Sequence, residues 1–161
     1  MKLLLGLLCW ALVLTGSVVA GTAQETERFP APGPGHKCPV CGMFVYRYPD
    51  WVASVTYTDG STVFFDGVKD MFKYLFNLQK YDPARDVKQI VSVRVTEYYD
   101  TNPIEGRTAF YVIGSDVLGP MGHELIPLRT EAEALEFKKD HQGRGVLTYP
   151  QVTPATISRL D

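Results

Sequence analysis

Charge of one sign is scarce in this sequence. Its 16 basic and 18 acidic side chains nearly cancel over 161 residues. That balance excludes a protein whose affinity comes from neutralising phosphates, so no nucleic-acid partner is expected. Cysteine is scarcer still: three residues are too few to build a disulfide scaffold, and their number is odd. Histidine is also limited to three and methionine to four. No Ser/His/Asp arrangement, phosphate-cradling glycine loop or paired-carboxylate site stands out, so nothing asks for an enzyme. What is present is apolar. A hydrophobic share of 45%, with 12% aromatics, excludes a disordered chain. The length suits one domain, or two very small ones packed together.

Residues 1–23 read as an export signal. Lys2 gives a positive start, residues 3–19 are an uncharged and mostly apolar run, and Ala20, Gly21 and Ala23 supply small residues for cleavage after Ala20 or Ala23. An uncleaved anchor is the alternative, although the run falls slightly short of the roughly 20 apolar residues a membrane span needs. Cys9 lies early in that run, a poor place for lipid attachment. Without the leader two cysteines remain, Cys38 and Cys41, with Met43, Met71 and Met121. Residues 24–35 carry Pro30, Pro32, Pro34, Gly33 and Gly35 and read as an extended linker.

The folded part is expected from His36 as two small ββαβ units, residues 36–100 and 101–161. In the first, residues 51–57 and 62–65 read as strands around an Asp59-Gly60 turn. Asp66 reads as the cap of a helix bearing Val68, Met71, Phe72, Leu75 and Phe76, and residues 90–98 as a third strand. In the second, residues 108–113 and 124–128 read as strands separated by a Gly/Pro loop. Thr130 and Glu133 make a capping box for a helix through Lys139, and residues 146–149 close the unit. The expected class is α+β, the two units packed around a mixed or antiparallel sheet.

The densest chemical signal is Cys38-Pro39-Val40-Cys41-Gly42-Met43. Two cysteines at this spacing place both sulfurs on one side of a tight turn, and Met43 can add a thioether. Such soft donors suit Cu(I). A second soft group lies in Gly119-Pro120-Met121-Gly122-His123, where Met121 and His123 have little bulk around them. Two other readings of the cysteine pair stand beside this one. Structural zinc wants four ligands, and a second pair is missing from the sequence. A thiol–disulfide oxidoreductase places its pair between a strand and a helix start, a context that Cys38 lacks. Met71 falls among core positions and reads as filler. His141 reads as a helix-end cap.

The runs CPVCGMF (38–44), FFDGVKDMFKY (64–74) and YVIGSDVLGPMGHELIP (111–127), with Trp51 between the first two, resemble the NosL family. The resemblance spans about residues 36–151. It implies two ββαβ units and a Cu(I)-binding metallochaperone for the maturation of nitrous oxide reductase. It places the protein in the periplasm or on the outer face of the cytoplasmic membrane. Carried over by motif, Cys41 and Met121 are the first ligands expected, followed by Cys38 and Met43, then His123. The implied partners are the copper-receiving assembly machinery or the apo-reductase. Proximity to the membrane fits that location, and a metal-bridged dimer is compatible with so few ligands per chain. Many members carry a lipid-attachment cysteine at the cleavage point, and this chain has none there, which argues against a lipid tether.

Overall fold

The structure is a computed structural model that describes residues 30–161. The expected leader and the first half of the linker, residues 24–29, lie outside the described residues. The chain adopts the expected α+β class, with its strands in two antiparallel sheets.

Strands β1 (Ala53–Tyr57) and β2 (Thr62–Phe65) form the anticipated hairpin, with Val55 opposite Val63. Gly60 at φ 81° makes the turn, and Asp59 Oδ1 accepts from the Ser61 amide at 3.0 Å. Helices α1 (Val68–Phe76) and α2 (Leu78–Tyr81) follow, then β3 (Ile90–Thr96) and β4 (Pro103–Glu105). These four strands order as β2-β1-β3-β4. The second sheet orders as β6-β5-β7, from β5 (Phe110–Gly119), β6 (Gly122–Leu128) and β7 (Gly145–Thr148). Helix α3 (Glu131–Asp140) lies between β6 and β7, and a short α4 (Pro154–Ser158) ends the order. Pro127 is tolerated because β6 is an edge strand of its sheet.

Side chains that alternate along β5 and β6 divide the core. Tyr111 and Leu125 join the large cluster with Val55, Phe65, Met71, Phe72 and Val93. Val112 and Ile126 face the other way and form a small cluster with Leu128, Ala134 and Phe137 of α3. Helix α1 packs on β1 and β2 and also on β6, so it joins the two sheets. Val68, Met71 and Phe72 recur at helical spacing on its buried side. The Phe72 ring lies 5.6 Å from Tyr111 and 5.1 Å from Tyr149, centroid to centroid.

Two local expectations change. Asp66 does not cap α1: Gly67 holds the cap position, with no side-chain cap bond. The Gly/Pro loop is shorter than its composition implies. Strand β5 continues to Gly119 through a register shift between Ile113 and Leu118, leaving Pro120 and Met121 as the tip of a hairpin. Gly122 follows in the left-handed region at φ 82°.

Candidate metal centre

The cysteine motif folds into a small knuckle. The Cys38 amide donates to the Met43 carbonyl and the Gly42 amide to the Cys38 carbonyl, both at 2.9 Å. Gly42 sits at φ 81°, a conformation a side chain would strain. The Val45 amide reaches the His36 carbonyl and closes the base. This geometry buries Cys38 to 1% exposure and leaves Cys41 half-buried, both as free thiols.

Two carboxylates meet the thiols from the entry to α1. Asp66 and Asp70, four residues apart, are 1% and 3% exposed. The Cys38 thiol donates to Asp70 Oδ2 at 3.3 Å, and the Cys41 thiol to Asp66 Oδ1 at 3.2 Å. One donor atom from each of the four residues lies within 4.8 Å of the others. Burial, with the neighbouring carboxylates adding to it, pushes the Cys41 thiol up to about 12 and the Cys38 thiol far above its ordinary value. At neutral pH the cluster therefore holds two protonated thiols, each resting on a carboxylate. A bound cation would have to displace those protons.

Beside the cluster opens a cavity of about 570 Å³, lined by Cys41, Asp70, Phe76, Tyr81, Met121 and Ile157 among others. Met121 reaches it from the hairpin tip and is 44% exposed. Its backbone is fixed by Lys69, a lysine only 2% exposed. The Lys69 ammonium donates to the Met121 carbonyl at 2.9 Å and to the Leu160 carbonyl at 3.2 Å, with Asp161 at 3.6 Å. The Lys69 amide donates to Glu124 Oε1 at 2.5 Å, and the same oxygen accepts from the Leu125 amide at 3.0 Å. Glu124, a residue of β6, thus supplies the cap that α1 lacks. Burial raises its carboxyl to about 8, while those two amide bonds and the Lys69 charge pull the other way.

Of the residues named from the sequence, Cys38 and Cys41 meet in one cluster, and Met121 shares the cavity with Cys41. Met43 is half-buried, and its carbonyl closes the knuckle. His123 lines a different cleft with Arg144 and Arg159. His141 ends α3, where its ring stacks on Phe137 and meets Asp116 at 3.0 Å. The sequence reading missed Asp66 and Asp70 as site residues, and Lys69 as the anchor of Met121. The available signal was three charged residues set among Phe65, Val68, Met71 and Phe72, since a buried charge is more informative than a buried apolar residue.

Fold and site together define a class: a small two-sheet α+β protein with two free thiols set against buried carboxylates, one of the thiols lining a cavity. The sequence narrows that class to one family. The NosL family model matches residues 31–157, so the chain belongs to the NosL family. The crystal structure of the copper chaperone NosL from Shewanella denitrificans shares the fold. It is 23% identical with a TM-score of 0.66, and the match covers 80% of this chain and 97% of that one. The solution structure of apo-NosL from Achromobacter cycloclastes is 26% identical with a TM-score of 0.47, covering 65% of this chain and 87% of that one. No curated protein matches the chain.

Proposed function

We propose that this protein is a copper chaperone that carries Cu(I) on Cys41, Cys38 and Met121. The observation that carries the reading is a cluster of two free thiols, Cys38 and Cys41, whose half-buried member Cys41 lines one open cavity with Met121. Thiolate and thioether donors favour Cu(I) over harder ions. Membership of the NosL family supports the reading, as does the description of the Shewanella relative as a copper chaperone. Uptake releases the thiol protons. Release runs by ligand exchange: a partner's donor displaces exposed Met121 first, half-buried Cys41 next and buried Cys38 last. Raised thiol pKa values work against the oxidoreductase reading, because exchange needs a thiolate.

The finer assignment is also part of this proposal. After export on residues 1–23 the chaperone acts outside the cytoplasmic membrane, and its recipient is the nitrous oxide reductase or the machinery that builds its copper centres. Among the described residues, no helix is long and apolar enough to cross a membrane.

The test is competition for Cu(I) between the reduced protein and a chelator. Cys41→Ala and Met121→Ala are each expected to weaken binding by about tenfold or more, equal to about 1.4 kcal/mol. Unchanged affinity in both variants would overturn the assignment.

A further inference from the structure

The cleft that His123 lines has no part in the copper reading. It encloses about 390 Å³, and its walls include Arg144, Arg159, His123, Ile113, Leu147 and Leu160. Helix α4 stands between it and the metal cavity: Ile157 and Ser158 line that cavity, while Thr156 and Arg159 line the cleft. No aspartate or glutamate is among the residues lining the cleft. Among the described residues, neither Arg144 nor Arg159 has an ion-pair partner. In a chain with more acidic than basic side chains, two unpaired guanidiniums in one acid-free cleft are a local excess of positive charge.

Both arginines stand on a fixed backbone. The Arg144 amide donates to the Ile113 carbonyl at 2.8 Å. Its aliphatic stem lies against Gly114, which sits in the left-handed region at φ 70°. A Cβ at Gly114 would fall 2.7 Å from Arg144 Cγ, so the glycine is what leaves room for the stem. Arg159 closes α4, its amide donating to the Thr156 carbonyl at 3.2 Å. The carbonyl of the next residue, Leu160, is held by Lys69 at 3.2 Å.

We propose that this cleft binds an organic phosphate, a phosphate group carried on a short apolar body. Donor geometry selects the phosphate. A carboxylate is planar and is satisfied by one guanidinium fork, whereas a tetrahedral phosphate presents oxygens to two forks that reach it from separate elements. His123 adds a ring N–H as a further donor. The other walls select the body: Ile113, Leu147 and Leu160 give it an apolar surface. The volume falls within the roughly 300–1,000 Å³ of small-molecule sites. A soluble phosphate ester and a phospholipid headgroup share this chemistry. The inference does not rest on copper being the cargo.

The experiment titrates the full chain with phenyl phosphate, inorganic phosphate and benzoate, following backbone amide shifts. Phenyl phosphate is expected to bind saturably and more tightly than the other two, to weaken as salt is raised, and to shift the amides of Gly114, Arg144, Arg159 and Leu160. Arg144→Ala and Arg159→Ala are each expected to lower its affinity by about tenfold or more. Arg144→Lys keeps the charge but loses the fork, and is expected to recover only part of that loss. Cys41→Ala is expected to bind phenyl phosphate normally, which separates this site from the metal centre. Sedimentation with phosphatidylglycerol vesicles, and with phosphatidylcholine vesicles as the uncharged control, identifies the source. Vesicle binding that Arg144→Lys weakens assigns a lipid headgroup; phenyl phosphate binding without vesicle binding assigns a soluble ester. The proposal is overturned by an absence of both, by shifts confined to other residues, by benzoate binding as tightly as phenyl phosphate, or by vesicle binding alone that Arg144→Lys leaves intact.

Discussion

Helices α1 and α3 occupy matching places in the two halves, yet they are held in different ways. Helix α3 is capped from within: Thr130 Oγ1 accepts from the Glu133 amide at 3.2 Å, and Glu133 returns a bond to the Thr130 amide at 2.8 Å. Its buried positions, Ala134 and Phe137, are apolar. Helix α1 has no side-chain cap of its own and takes one from Glu124 of the other half. Its first turn buries Lys69 and Asp70. A helix with only structural work can be self-sufficient. The helix that carries the site gives its local polar groups to the cluster and to Met121, and so depends on a distant strand.

Three measurements bear on that contrast, the largest effect first. Glu124→Ala strips the acceptor from the buried Lys69 and Leu125 amides, and urea unfolding is expected to show a loss of about 2–3 kcal/mol. A near-neutral result would mean that α1 needs no borrowed cap. The next effect is a pH dependence unique to α1. Because Glu124 is raised from an ordinary 4.5 to about 8 in the fold, its ionisation opposes folding. The stability it contributes is complete below about pH 4.5 and is lost as pH climbs through about 8. Denaturant midpoints measured across that window are expected to fall for the wild type and to stay flatter for Glu124→Gln, which keeps an acceptor without a charge. Equal slopes would remove Glu124 from the account. The smallest effect is that of Thr130→Ala, an ordinary cap loss of about 1 kcal/mol with no change in Cu(I) affinity. A larger cost there would erase the difference between the two helices.

The self-contained parts were the ones legible in sequence. The Asp59-Gly60 turn and the Thr130–Glu133 capping box are local, and their residues lie within a few positions of one another. The cysteine knuckle is local too. Asp66 was misread because an aspartate just before a helix has a local use, whereas its actual partner, Cys41, lies 25 residues upstream. Lys69 and Met121 are 52 residues apart, and no periodicity reports such a pair. The extension of β5 was hidden by glycines that suggest a loop, although pairing with β6 overrides that preference. Helix α4 is a single short turn with too little pattern to read.

The anchoring of Met121 through its carbonyl has a kinetic consequence. The backbone at the hairpin tip is pinned by Lys69, while the thioether extends into the cavity. Exposed side chains change rotamer in about picoseconds to nanoseconds, whereas loops rearrange over about nanoseconds to microseconds. If Met121 holds copper as proposed, its thioether can therefore swing away from the ion without the hairpin opening. In that reading the first ligand exchange is timed by the arrival of the acceptor, and no opening of the hairpin has to come first.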